Sequence, residues 1–384
     1  MARSAHAYVR GNTLKFYEWL ESASGKLVPQ GPPVWICGDC HLGNLGPVAD
    51  ARGHVEIAIR DLDQTVIGNP AHDLIRLGLS LATAIRGSDL PGVTTAIMLE
   101  QMVEGYEGEL ADHGRNHKHS GAPPKFVRRV LERSLKRKWR HLAADRIEDV
   151  TPTIPLGRRF WPLSASEKRE IYSIFTAPKV RRLITSLRGR DSHDEVRVLD
   201  TAYWMKGCSS LGRLRFAVVV GVGKDKRQGE RFCLVDIKEA IQAAAPFSAG
   251  AKMPRDHAHR VVEGARKLSP FLGQRMLPWR FHEKPVVLRE LLPQDLRLEM
   301  DQLTRDEAIA SARFLASVVG KAHASQMDSK TKKKWRTELT RNRSKGLDAP
   351  SWLWTNVVEL VASHEAAYLD HCRRYALQNA QCEL

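Results

Sequence analysis

Near residue 200 the apolar pattern of the chain changes period, and that change limits it to a mixed architecture. Before the change, apolar residues recur at helical spacing. Leu74, Leu77, Leu81 and Ile85 mark a helix over Ala71–Ile85, and further helices are predicted over about 93–111, 125–141 and 166–188. Two short strands, 34–37 and 54–60, precede the first long helix. After the change, residues 201–206, 214–222 and 231–237 are rich in β-branched and aromatic side chains with glycine-rich punctuation between them, which predicts an antiparallel meander. A helix over 256–269 and a strand over 285–292 follow. From Thr304 the chain reads as helical, with a Lys/Arg-rich break at 330–346. The predicted class is α+β in two lobes. Residues 1–200 and 301–384 supply a larger helical lobe, and 201–300 a small antiparallel β lobe; 384 residues are enough for both.

The densest run of chemistry lies between the first strand and the first long helix. It reads Cys37-Gly38-Asp39-Cys40-His41-Leu42-Gly43-Asn44, then Arg60-Asp61-Leu62-Asp63, then Gly68-Asn69-Pro70-Ala71-His72-Asp73-Leu74. A carboxylate in a tight loop can orient or deprotonate a substrate hydroxyl. An amide oxygen five residues later and a carboxylate at a strand end suit Mg²⁺, which takes a few hard oxygen ligands together with phosphate. Asp39 and His41 are the candidate catalytic residues, and Asn44, Asp61 and Asp63 the candidate metal contacts, in roles that a family resemblance described below implies. Cys37, Cys40 and His41 also satisfy the C-x-x-C-H spacing of haem attachment and supply three of four zinc ligands.

A second group sits on the β-rich part. Lys206-Gly207-Cys208-Ser209-Ser210-Leu211-Gly212 lies between two predicted strands, where glycines let a hairpin backbone approach phosphates. Val235-Asp236-Ile237-Lys238-Glu239-Ala240 places a lysine at a strand end. Glu263 on the next helix is the candidate to hold that lysine, and the strand 286–292, with Glu290, is the candidate edge for a nucleobase. Gly207, Ser209, Ser210, Gly212, Lys238, Glu263 and Glu290 are thus the candidate nucleotide-binding residues.

The G-D-x-H-x-x-N run, the strand ending in D-x-D and the G-x-P-x-x-D-L segment resemble the catalytic and metal-binding segments of aminoglycoside phosphotransferases and choline kinases. The resemblance implies Asp39 as base, Asn44 and Asp61 as metal ligands, and Asp73 as a buried carboxylate steadying the loop. It also implies a protein-kinase-like fold using ATP and Mg²⁺. The glycine segment and lysine follow the catalytic loop here, so the halves stand in swapped order, as in a circular permutation. With its I-K-E-A segment, the whole chain is similar to the bacterial family called domain of unknown function 2252. That similarity runs from Tyr8-Val9-Arg10-Gly11 to Gly320-Lys321-Ala322-His323-Ala324. His323 reads as a packed or capping histidine.

The formal net charge of +16 favours anionic partners. Much of it lies in the basic stretches 125–140 and 330–346. A solvated basic face, an acidic or phosphorylated substrate, and nucleic acid all meet that description, but no zinc-finger, RNP-like or helix-turn-helix pattern accompanies it. The phosphotransferase resemblance implies a nucleotide and an unknown small-molecule or protein acceptor as partners. The alternatives are nucleotide binding without transfer, adenylyl transfer, or nucleic-acid binding. The six cysteines are scattered, and Met1–Leu20 has no apolar core, so reduced thiols and a cytoplasmic location are expected.

Overall fold

The computed structural model describes residues 4–22, 28–86, 92–111, 123–147, 152–187, 189–206, 212–223, 231–296, 298, 303–341, 343–344 and 347–376. Helices α1 (Ala5–Gly11) and α2 (Thr13–Glu21) come first. Strand β1 (Val34–Ile36), the hairpin of β2 (Leu45–Ala49) and β3 (Val55–Ile59), and strand β4 (Val66–Gly68) lead into α3 (Ala71–Ile85) and α4 (Gly92–Gly108). Then come α5 (Lys125–Leu135), α6 (Trp139–Ile147), β5 (Phe160–Trp161), α7 (Ala165–Thr176) and α8 (Pro178–Thr185). The meander is β6 (Val196–Trp204), β7 (Arg215–Val222) and β8 (Arg231–Glu239). Helices α9 (His257–Leu268) and α10 (Pro270–Gly273) separate it from β9 (Met276–Phe281) and β10 (Lys284–Leu291). The remainder is α11 (Arg305–Ala324), α12 (Ser329–Thr340), the short pair β11 (Arg343–Ser344) and β12 (Leu347–Pro350), and α13 (Ser351–His371).

The fold is α+β, with a helical part and antiparallel sheets. The main sheet runs β5-β6-β7-β8-β10-β9, every neighbouring pair antiparallel. Because side chains alternate along a strand, the central strands feed two cores. Phe216, Val218, Val235, Ile237 and Leu288 pack on Ile171 and Ile174 of α7 and on Val180 and Ile184 of α8. Trp204, Ala217, Val219, Leu234 and Leu291 pack on Leu142, Ala143 and Ile147 of α6. A third and larger core belongs to the helices around α3, which is buried on nearly all sides. There α4 and α11 cross closely at Gly105, where a Cβ would lie 2.1 Å from the Arg313 carbonyl oxygen.

Three expectations need correcting. The helix predicted over 125–141 ends at Leu135 and restarts at Trp139, because Ser134 and Arg137 turn to bind the Gln294 and Pro293 carbonyls, at 2.6 and 2.7 Å. The helix predicted over 166–188 is two: Ala177 is extended ahead of Pro178, as a pre-proline residue prefers, and Pro178 opens α8. The basic stretch read as a break at 330–346 is largely α12, capped by Asp328 and anchored one turn apart by the buried Trp335 and Leu339. Strand β2 was hidden from the sequence by Pro47, which its two-stranded sheet tolerates. Among the described residues no helix is long and apolar enough to cross a membrane.

Candidate active site

The loop from Cys37 to Asn44 joins β1 to β2, and its shape is dictated at Gly38. That residue has φ +74°, and a Cβ there would lie 2.2 Å from the Gln64 carbonyl oxygen, so only glycine fits. Asp73, fully buried in the first turn of α3, accepts the Cys37 and Gly38 backbone N–H groups at 2.7 and 3.0 Å. A relay stands behind it. Trp335 Nε1 donates to the Tyr106 hydroxyl at 3.2 Å, the hydroxyl lies 2.9 Å from His323 Nδ1, and His323 Nε2 lies 3.2 Å from Asp73. The Tyr17 hydroxyl donates to the Gly38 carbonyl, and Ser80 Oγ accepts the Leu42 N–H at 3.1 Å. The charge-assisted bonds to Asp73 are the strong members of this set. His323 therefore belongs to the scaffold of the loop.

On this frame the Asp39 side chain is only partly exposed. Its Oδ1 accepts Arg76 Nε at 2.9 Å, while Arg76 is itself tied to the Val9 carbonyl at 2.7 Å and lies over the Phe16 ring. Asn44 Nδ2 donates to the Asp39 carbonyl at 3.0 Å, which commits the nitrogen side of the amide and leaves its oxygen for other partners. His41 is buried with Nε2 3.8 Å from Asp39 Oδ2. Burial pushes its pKa down to about 4 against the opposing pull of Asp39, so the ring is neutral near pH 7.

Beside the loop, Asp61 follows β3 and faces the sheet across the cleft. Solvent reaches its carboxylate from the cleft, while protein surrounds it on the other sides. The surrounding protein raises its pKa, and Lys238, Arg289 and Arg215 outweigh that, holding it below the usual carboxylate range. Asp61 and Asn44 line one hollow; Asp61, Asp63 and Lys238 line the adjoining one. Asp63 is in direct contact with Lys238 Nζ. The structure thus brings Asn44, Asp61, Asp63 and Lys238 to one cleft. Among the described residues no three His, Cys, Asp or Glu side chains cluster as a metal cage. A phosphate-bound Mg²⁺ needs only one or two side chains, and an ionised carboxylate beside an amide oxygen fits that requirement.

Two expected residues stand elsewhere. Glu263 is exposed on α9 and Lys238 is paired with Asp63 instead. What α9 sends into the site is Arg260, three residues earlier. Its guanidinium donates to the carbonyls of Thr65, Asp63 (3.0 Å) and Ile241 (2.7 Å), tying the D-x-D loop to the end of β8. Glu290 points to the opposite face of the sheet, locked by both ends of Arg190 at 2.7 and 2.9 Å. The backbone edge it was expected to offer is also engaged: Arg275 bonds both Glu290 backbone groups, and Arg137 and Ser134 take the Pro293 and Gln294 carbonyls. Gly212 has φ +72°, and Gly207, Ser209 and Ser210 lie outside the described residues.

The cleft face of the sheet is charged. Arg215 and Asp236 form a buried two-pronged pair, Nε–Oδ1 2.9 Å and Nη2–Oδ2 2.5 Å. Arg289, opposite Asp236 in register, donates to the Arg60 carbonyl at 2.9 Å and to Asp295 at 3.3 Å. Arg76, Arg260, Arg215 and Arg289 all escaped the sequence reading. Only Arg76 had a signal, three positions after Asp73 on the helix that carries it. Cys37 and Cys40 are buried, and the Cys37 thiol is pushed up by its bond to Cys40 and by burial, which suits inert thiols better than haem or zinc ligands.

The chain belongs to the family described as "Uncharacterized protein conserved in bacteria (DUF2252)", which it matches over residues 1–374. No curated protein and no solved structure matches it.

Proposed function

We propose that this DUF2252 protein transfers the γ-phosphoryl group of ATP to a hydroxyl acceptor, on a kinase-like two-lobed fold whose halves run in swapped order. The observation that carries the reading is the cleft that gathers the ionised Asp61, Lys238 and Asn44, the last of these at the end of the latched Asp39 loop. The order of parts in the sheet supports it too: a glycine segment between β6 and β7, a lysine at the end of β8, a helix, and then β10.

In this reading the acceptor hydroxyl donates to Asp39 Oδ2, since Oδ1 is occupied by Arg76. Its oxygen bonds to the γ-phosphorus as the β–γ bridging P–O bond breaks. ADP leaves, and the hydroxyl proton passes to Asp39 and then to water. Lys238, swinging from Asp63, balances phosphate charge, so most of the acceleration is positioning and electrostatics. Asn44 and Asp61 would hold Mg²⁺, whose contribution when bound is neutralisation of charge on the phosphate oxygens. One observation favours a second reading, nucleotide binding without transfer: a buried arginine already occupies half of the Asp39 carboxylate.

The test follows label from ATP into a deproteinised small-molecule extract. Transfer of γ-label that is lost in Asp39→Ala is the expected result. Transfer of α-label would identify adenylyl transfer, and retention of nucleotide with neither label moved would favour the second reading.

A further inference from the structure

We propose that Asp63 makes the cleft selective for metal-bound over metal-free phosphate, by competing with a ligand for Lys238 and by keeping a negative charge beside the place that a phosphate must take to reach that lysine. The proposal deepens the phosphotransferase reading and rests on it only for the identity of the phosphate compound.

Two ion pairs reach the cleft from the sheet, and they differ in exposure. Arg215 and Asp236 are each 9% exposed and joined by two bonds, at 2.9 and 2.5 Å. Lys238 is 21% exposed and its partner Asp63 37%, and a single ammonium joins them. Opening a buried two-pronged pair strands a charge, whereas a partly wet pair costs little to break. Of these two cations, Lys238 is therefore the one that a ligand can recruit. The acids nearest it in the chain are engaged: Asp236 with Arg215, and Glu239 with the Leu214 N–H at 2.8 Å and Lys284 at 3.5 Å. Glu263, the expected partner of the lysine, is exposed on α9, and Asp63 takes its place in the pair.

When the pair opens, the lysine is the part that can move. Its four-carbon stem is flexible. The loop carrying Asp63 is held by three neighbours. The buried Arg260 of α9 donates to the carbonyls of Asp63, at 3.0 Å, and Thr65. Thr65 Oγ1 donates to the Ile36 carbonyl of β1 at 2.6 Å, and Gln64 Oε1 accepts the Ala244 N–H at 2.6 Å. A ligand that draws Lys238 away thus leaves the Asp63 carboxylate behind, with Asp61 lining the same hollow. Like charges brought together select against a ligand. A divalent cation travelling with the phosphate offsets the two carboxylates, and a bare phosphate has no such relief. This role differs from that of a metal contact, because it predicts that neutralising Asp63 strengthens one kind of binding.

The experiment uses the full chain and measures calorimetric binding of inorganic pyrophosphate and of ADP, in excess EDTA and in Mg²⁺. The wild type is expected to bind in Mg²⁺ and to bind far more weakly in EDTA. Asp63→Asn should tighten binding in EDTA by about fivefold or more, with little change in Mg²⁺. Most of that gain should vanish in Asp63→Asn/Lys238→Met, and Glu263→Gln should match the wild type. Asp63→Ser repeats the test if Asp63→Asn folds poorly. No gain in EDTA would overturn the proposal, and so would a loss of Mg²⁺-dependent binding in Asp63→Asn, which would make Asp63 a metal contact. A gain that survives unchanged in the double variant would overturn the competition for Lys238. Weaker binding in Glu263→Gln would return the lysine to the helix glutamate and overturn it equally. A gain for pyrophosphate in a protein that moves no label from ATP would uphold the selectivity and remove the transfer reading; label transfer with no gain in Asp63→Asn would do the reverse.

Discussion

The Asp39 loop hangs from buried groups that all point at its backbone: Asp73 and Ser80 take its N–H groups, and Tyr17 takes a carbonyl. Lys238 on the other side of the cleft is held by one partly exposed carboxylate, Asp63, and the loop carrying that carboxylate is stitched to the sheet by Arg260. One side presents a preset surface, while the other presents a side chain able to exchange its partner for a ligand. Buried, fully bonded groups make a geometry expensive to change; an ion pair in contact with water is cheap to exchange. The proposed transfer, which has to position a hydroxyl and follow a moving phosphate, would use both.

The sharpest way to break this contrast is Asp73→Ala. It strands two backbone N–H groups and His323, and should cost about 3–5 kcal/mol of stability, read by denaturant unfolding. A loss below about 1 kcal/mol would mean that the loop is held by something else. In the cleft between the two, Asp61→Ala should leave the melting temperature within a degree or two and lower transfer about 100- to 1000-fold. Lys238→Ala should lower it less, again without unfolding the protein.

Smaller effects sharpen the picture. Tyr106→Phe removes the hydroxyl between Trp335 and His323 and should cost about 1–2 kcal/mol. Burial lowers the pKa of His41, His72 and His364 to about 4 each. The unfolded chain therefore takes up protons near pH 6.5 while the native rings stay neutral. Stability should fall as pH drops from about 6.5 toward 4, by up to about 1.4 kcal/mol per pH unit for each histidine. In a His364→Gln variant the decline should be shallower; an unchanged slope would contradict the burial argument. At the small end, the exposed pair Glu104–Arg313 should contribute less than about 0.5 kcal/mol, tested by Glu104→Ala.

The two sides also differ in how readable they were. Asp39, Asn44, Asp61 and Asp73 lie within one short run, so local chain geometry brings them together, and the resemblance of that run to phosphotransferase segments pointed to them. Helix α3 was readable for the same reason: its own period sets its boundaries. The sheet side depends on register. Alternation says that Arg289 and Glu290 face opposite ways, yet only the pairing of β10 with β8 decides that Arg289 faces Asp236 and Glu290 faces Arg190. Arg260 and Glu263 lie three apart on α9, and which one meets the loop depends on the rotation of the helix against β1 and β10. The close fit of Gly264 on Thr65 is part of that packing, and no local signal announces it. The break in the basic helix at Lys136 likewise arises from carbonyls more than 150 residues away.

The cleft is tested most directly by the melting temperature of the purified protein with ATP, with and without Mg²⁺, in the wild type, Asp61→Ala and Lys238→Ala. A ligand that binds only the native state raises it by mass action. A nucleotide site built on Asp61 and Lys238 requires a Mg²⁺-dependent rise that Asp61→Ala abolishes and Lys238→Ala reduces. A wild type indifferent to nucleotide, or a rise that survives Asp61→Ala, would contradict it.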